Sequence, residues 1–230
     1  MKQQIIIPST LGVNEPVLIK TLSTLTQVTP LLVHFDFMDG TVDKRVYDGI
    51  SAYRALSNTE DSRFIPDFHF CSLTPTSSLT ECLSERLPVS SRVSVHVESD
   101  ADLSFWRELC RKQGIMFGLS LFSDTRLNPR WIETYKPDFL HVVTTNSEGS
   151  FSSNALETIE YIASTFPNST IVADGGVTAA TLPSCIDQGA TEMVAGSAVF
   201  KQPDPVAAYE GLHQLALESQ FKRGAYVGNI

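Results

Sequence analysis

Short runs rich in β-branched and aromatic residues alternate along the chain with helix-length segments that mix polar and apolar positions. Such runs fall at 3–9, 31–37, 63–72, 92–98, 116–122, 139–145, 170–174 and 192–196, each followed by a helical candidate. Strand followed by helix, repeated, is the pattern of βα units around a parallel sheet, not of a bundle or a sandwich. Eight units in 230 residues predict an α/β fold, a single closed (β/α)8 TIM barrel over residues 1–221. Residues 222–230, with Gly224 and Gly228, are expected to form a mobile C-terminal tail. The last helix has the clearest signals: Asp204 suits an N-cap, Pro205 the first helical position, and Val206, Tyr209 and Leu212 recur on one face. The fifth unit has the weakest, because Asn128-Pro129 interrupts it and leaves only 130–134 for a helix.

Composition narrows the class. The formal charge of −9 and pI near 5.0 argue against a nucleic-acid surface, which needs a basic patch, so an anionic ligand has to be held by a few local donors. No apolar stretch approaches the roughly 18 residues of a membrane span. The N-terminus has one lysine and three isoleucines before Pro8, short of a signal-peptide core of about 7–15 residues, so a cytoplasmic location without membrane partners is expected. Cys71, Cys82, Cys110 and Cys185 lie far apart without a CxxC pair and read as buried thiols.

The chemistry gathers at strand ends. His34 and Asp36 lie two residues apart in LLVHFDFMDG and so share a strand face; His69 lies in FIPDFHFCS and Asp174 in TIVADGGV. A lone histidine there is more often a satisfied core residue. Two imidazoles and two carboxylates on three strands that converge on one barrel mouth instead point to a site for a divalent ion such as Zn²⁺, Fe²⁺ or Mn²⁺. After the seventh and eighth strands, Asp174-Gly175-Gly176 and Ala195-Gly196-Ser197 read as phosphate cradles, because glycine lets backbone N–H groups approach an anion closely. His96 and Glu98 share a strand face and read either as partners of the site or as a structural pair. His141 reads as a core histidine, His213 as a surface or interface residue, and Trp106 and Trp131 as helix packing.

These segments resemble, in order and through nearly the whole chain, the ribulose-phosphate 3-epimerase family. The matching pieces are Pro8-Ser9, His34-Phe35-Asp36-Phe37-Met38-Asp39-Gly40, His69, Val95-His96-Val97-Glu98, Asp174-Gly175-Gly176-Val177 and Val194-Ala195-Gly196-Ser197-Ala198-Val199-Phe200. The resemblance implies one divalent metal ion (Zn, Fe, Mn or Co) on His34, Asp36, His69 and Asp174, with Asp36 and Asp174 doubling as the acid/base pair. It also implies that Ser9 and Met38 line the substrate site and that Gly175, Gly176, Gly196 and Ser197 hold the phosphate of a small sugar phosphate. The implied reaction is inversion at C3 of a ketose phosphate in the pentose phosphate network, D-ribulose 5-phosphate to D-xylulose 5-phosphate. Barrels of this resemblance are often dimers or larger, so a homo-oligomer is an open expectation; no segment locates an interface.

The chain also departs from the family pattern. Thr41-Val42-Asp43-Lys44-Arg45 replaces the usual Phe-Val-Pro-Asn run, Cys71 and Val143 stand where methionines line the site, and Asn146-Ser147-Glu148-Gly149-Ser150-Phe151 replaces a glycine-rich lid. Glu148 either repels the usual substrate or points outward. Two alternatives follow: epimerisation of another ketose phosphate such as a hexulose 6-phosphate, or a non-catalytic barrel that binds a phosphorylated ligand. A decarboxylase of the orotidine-phosphate type is disfavoured, because its Asp-x-Lys-x-x-Asp run meets Asp36-Phe37-Met38-Asp39 here, without the lysine.

Overall fold

Strand alternation sorts the side chains into two populations. In a computed structural model that describes residues 5–26, 31–42, 44–59, 63–146 and 148–227, with side chains through Arg223, the elements run in this order: β1 (Ile6–Pro8), α1 (Glu15–Leu25), β2 (Leu31–Asp39), β3 (Val46–Asp48), α2 (Gly49–Ser57), β4 (Phe64–Cys71), α3 (Thr76–Ser84), β5 (Arg92–His96), α4 (Leu103–Gln113), β6 (Met116–Leu121), α5 (Pro129–Tyr135), β7 (Phe139–Val143), α6 (Ser153–Thr165), β8 (Ile171–Asp174), α7 (Leu182–Gln188), β9 (Glu192–Ala195), α8 (Ser197–Phe200) and α9 (Pro205–Val227).

The sheet order is β1-β9-β8-β7-β6-β5-β4-β2-β3, and every pairing is parallel except that of β3. Ser9 forms a parallel bridge with His34, and Thr10 N–H donates to the His34 carbonyl at 3.0 Å, which joins β1 to β2 and closes the ring. Each strand expected from the sequence overlaps one of the parallel strands; residues 3 and 4 of the first lie outside the described residues.

Outward-facing Phe35, Phe68, Val93, Leu119 and Leu140 belong to the main apolar core, where Tyr53 of α2 sits edge-on to Phe35 and Phe68 at 5.8 and 5.3 Å. The interior holds a small apolar plug of Ile7, Phe139, Val172 and Val194. It also holds a charged group: Arg92 Nη1 donates to Glu192 Oε2 at 2.7 Å, Arg92 Nε lies 3.4 Å from Asp67 Oδ1, and the guanidinium sits 4.1 Å over the Phe139 ring. Charges below the mouth of a barrel are costly unless compensated, and in this triad Arg92 meets part of that cost for both carboxylates, although Asp67 Oδ1, Arg92 Nε and Arg92 Nη2 make no hydrogen bond among the described residues.

Asp204 Oδ1 accepts from Val206 N–H and Ala207 N–H at 3.1 Å each, as the pattern predicts, whereas Asn128-Pro129, read as an interruption, instead starts α5 with Asn128 as its cap. Tyr209 Oη donates to the Ile6 carbonyl at 3.2 Å and ties α9 to β1. Where a tail was expected, α9 runs to Val227, and 228–230 lie outside the described residues. Among the described residues, no helix is long and apolar enough to cross a membrane.

Candidate metal centre

The inward faces of β2, β4 and β8 bring the four predicted residues together. His34 Nε2 lies 3.3 Å from Asp36 Oδ1 and 3.7 Å from Asp174 Oδ2; His69 Nδ1 lies 3.2 Å from Asp36 Oδ1 and 3.4 Å from Asp174 Oδ2. A tetrahedral ion with bonds of about 2.1 Å separates its donors by ~3.4 Å, close to these four of its six edges; a group whose donor atoms all lie within 4.8 Å of one another comprises His34, His69, Asp174 and His141 in place of Asp36. All four residues are buried or nearly so.

The electrostatics fit a dication. Burial alone would depress both imidazoles, yet the carboxylates of Asp36 and Asp174 outweigh it and raise His34 well above its usual range and His69 above it. Burial alone would raise the carboxyls, yet His34 foremost holds Asp36 and Asp174 well below theirs. The cluster therefore gathers two negative groups and retains protons on its rings to balance them. A divalent ion in place of two ring protons leaves its total charge unchanged, and its binding would release those protons.

Hydrogen bonds around the cluster fix where each ring presents its lone pair. His34 Nδ1–H donates to Asp67 Oδ2 at 2.8 Å, which leaves Nε2 toward the centre. Asp67 can only accept, because Arg92 foremost overcomes burial and brings its carboxyl down to about 2. His141 Nε2 lies 3.1 Å from Asp174 Oδ2, its Nδ1 lies 3.2 Å from Ser94 Oγ, and its ring stacks on His69 at 4.1 Å. Burial, then the neighbouring His69, pushes His141 down to about 4, so it meets Asp174 as a neutral donor. His141 is thus buried and hydrogen-bonded, as expected, but its partner is a residue of the site, and it belongs with His34, His69 and Asp174 to a group that could hold an ion. Ser9 Oγ donates to Asp36 Oδ2 at 3.3 Å.

The centre opens into a cavity of about 500 Å³ lined by Ser9, Met38, Gly175, Gly176, Gly196 and Ser197, all anticipated from the sequence. Cys71, Val143, Arg45 and Lys201 also line it. Gly175 (φ 102°) and Gly176 (φ 66°) hold left-handed backbone, and a Cβ would lie 2.9 Å from Thr145 Cγ2 in the first case and 3.3 Å from Phe151 Cβ in the second. The rebuilt segment after β2 folds back as β3, where Tyr47 Oη donates to the Thr10 carbonyl at 3.0 Å and Asp48 Oδ1 caps α2 through Ile50 N–H and Ser51 N–H. In the replaced lid, Glu148 is exposed and does not line the cavity, so it points outward. Sequence reading overlooked Asp67, although its alternation with His69 on one strand face was the available signal. It also overlooked the cavity-lining Arg45 and Lys201.

Comparison with known proteins identifies the family. The profile of the Ribulose-phosphate 3 epimerase family matches residues 5–200. A Schizosaccharomyces pombe protein named ribulose-phosphate 3-epimerase is 24% identical over 225 residues, covering 96% of this chain and 97% of its own. Among solved structures, 3-hexulose-6-phosphate synthase from Salmonella typhimurium superposes with a TM-score of 0.67 at 13% identity, covering 94% of this chain and 100% of that one. Orotidine 5'-monophosphate decarboxylase from Sulfolobus solfataricus gives 0.62 at 14%, covering 94% and 99%; both likenesses speak to the fold alone. The chain belongs to the ribulose-phosphate 3-epimerase family and is, with it, an enzyme of the epimerase type within the isomerases.

Proposed function

We propose that the protein inverts C3 of a ketose phosphate, interconverting D-ribulose 5-phosphate and D-xylulose 5-phosphate in the cytoplasm. Asp36 and Asp174 act as opposed proton-transfer groups at a centre for one divalent ion, Zn, Fe, Mn or Co. The observation that carries this reading is the placement of both carboxylates within 3.2–3.7 Å of the same two imidazoles, at a cavity whose wall includes the two glycine loops. A volume of about 500 Å³ suits a small phosphorylated sugar.

C3 lies beside the carbonyl, so its proton is weakly acidic and inversion requires its removal from one face and delivery of another to the opposite face. Both carboxylates rest ionised in the metal-free centre, so one has to take up a proton as the loaded site forms; the other then takes the C3 proton while the first delivers its own, and a turnover exchanges their states. Ser9 orients Asp36, and His141 orients Asp174. His34, Asp36, His69 and Asp174 would hold the ion, whose contribution is Lewis-acid stabilisation of the charge that develops on the substrate oxygens. Gly175, Gly176, Gly196 and Ser197 receive the phosphate and hold C3 in register with the carboxylates.

A second substrate assignment has its own support. Cys71 and Val143 line the cavity where the family pattern carries bulkier methionines, and Arg45 adds a cation at the rim, which favours a longer ketose phosphate such as a hexulose 6-phosphate. Turnover measured across a ketose-phosphate panel, after reconstitution with each metal, decides between them. Ribulose 5-phosphate is expected to give the highest kcat/KM, and a clear preference for a hexulose 6-phosphate moves the assignment. Asp36→Asn and Asp174→Asn are each expected to lose about 10²–10⁴-fold in kcat. Wild-type turnover in either variant sinks the two-carboxylate mechanism.

A further inference from the structure

We infer that Glu98 and His96 form a polarised hydrogen-bond relay whose role is to hold His69 in the one tautomer that directs a lone pair at the metal centre; the inference rests on the metal-centre reading above. His69 turns Nδ1 toward Asp36 and Asp174, and its Nε2 lies 2.9 Å from His96 Nε2. His96 Nδ1 in turn lies 3.1 Å from Glu98 Oε2. Two ring nitrogens facing each other at this distance need one proton between them, so one ring donates and the other accepts.

The far end of the relay decides which. Glu98 Oε1 accepts from Phe122 N–H at 3.1 Å and from Thr125 Oγ. His96 foremost, against burial, holds the Glu98 carboxyl below its usual range, so Oε2 is an acceptor as well. His96 therefore donates from Nδ1. A neutral imidazole that donates from Nδ1 presents a lone pair at Nε2, and the His96 ring is fully buried. His69 must then donate from Nε2, which frees Nδ1 for the ion. The relay is rigid: the His96 ring stacks on Phe122 at 3.9 Å and 21°, and both histidines are buried. His96 and Glu98 are positioning residues, since both act through His69.

An isosteric substitution inverts the relay. In Glu98→Gln the amide oxygen has to stay with Phe122 N–H, a backbone donor that cannot reverse. The amide NH₂ then faces His96 Nδ1, moves the His96 proton to Nε2 and forces His69 to carry its proton on Nδ1, where the ion would bind. Lost support of this kind typically weakens metal binding about 10–100-fold.

The test combines Zn²⁺ affinity by chelator competition with nitrogen-15 NMR of the histidine rings. In the wild type the His96 proton is expected on Nδ1; in Glu98→Gln it moves to Nε2 and Zn²⁺ binding weakens by about 10–100-fold. Thr125→Val, which removes one bond to Glu98 without changing its polarity, is expected to bind Zn²⁺ like the wild type. A wild-type His96 proton on Nε2, unchanged Zn²⁺ affinity in Glu98→Gln, or an equal loss in Thr125→Val overturns the relay. If Glu98→Gln does not fold, His96→Phe serves: it keeps an aromatic ring on Phe122 and removes the acceptor, and wild-type affinity there also overturns the relay. Failure of the wild type to bind Zn²⁺ would instead count against the metal centre, while the His96 tautomer would still report the polarity.

Discussion

Gly49 begins α2 directly behind the strand that carries Asp36. A Cβ at this position would lie 2.9 Å from the Asp36 carbonyl carbon and 3.1 Å from that of Phe35, and closer still to the Asp36 carbonyl oxygen. Ordinary carbon contacts are about 3.5–4.0 Å, so Gly49→Ala requires α2 or β2 to give by roughly 0.6–1.1 Å. The atoms in the way are backbone and cannot rotate aside. Overpacking of this kind costs about 1–3 kcal/mol, and at ~2–4 °C per kcal/mol for a chain of this size Tm should fall by roughly 2–12 °C. The displaced backbone belongs to Asp36, so the loss extends to the site: a misplacement near 1 Å can lower turnover by about 10²-fold. Differential scanning calorimetry and the epimerase assay on one preparation measure both effects. A variant that matches the wild type in Tm and kcat would refute the claim that the α2–β2 contact fixes Asp36.

Other outcomes follow from the buried charges. Arg92→Met leaves Asp67 and Glu192 without their cation and should destabilise the fold by about 3–5 kcal/mol in urea titration, with part recovered in Arg92→Met/Glu192→Gln; equal stability of the single and double variants would contradict the triad. Asp67 is held near 2 in the fold, against about 3.9 for an unfolded aspartate, so its contribution is fully present above that higher value and is lost as pH falls through the lower one. The wild type should therefore lose on the order of 2 kcal/mol more than Asp67→Asn between about pH 5 and about pH 2. With its rings held protonated by Asp36 and Asp174, the metal-free centre should release about one to two protons on binding Zn²⁺ at neutral pH. Calorimetry in buffers of different ionisation enthalpy reads this directly, and a heat independent of buffer would contradict it.

The barrel and the convergence of His34, Asp36, His69 and Asp174 were legible in the chain because both rest on short periodicities. Alternation put His34 and Asp36 on one face, and recurring βα units supplied the mouth on which His69 and Asp174 converge. What was not legible depends on partners remote in sequence. Asp67 looks out of place inside a strand until Arg92 arrives from β5 to compensate it, a cation it shares with Glu192 of β9, and no local pattern announces that pairing. Val46–Asp48 is too short to show a strand period and pairs with β2 where Tyr47 reaches back to Thr10. Gly224 suggested a helix end, but one glycine costs a helix only about 1 kcal/mol, and α9 runs through it. His141 was correctly read as buried, while its bond to Asp174 emerged only from the pairing of β7 with β8.

The central claim is that Asp36 and Asp174 move a proton at C3 of a ketose phosphate. Proton NMR of D-ribulose 5-phosphate in D₂O, with protein reconstituted with Zn²⁺ or Fe²⁺, tests it most directly. The account predicts metal-dependent deuteration at C3 together with the appearance of D-xylulose 5-phosphate, both lost in Asp36→Asn and Asp174→Asn. Retention of the C3 proton with every metal, on pentulose and hexulose phosphates alike, would contradict it.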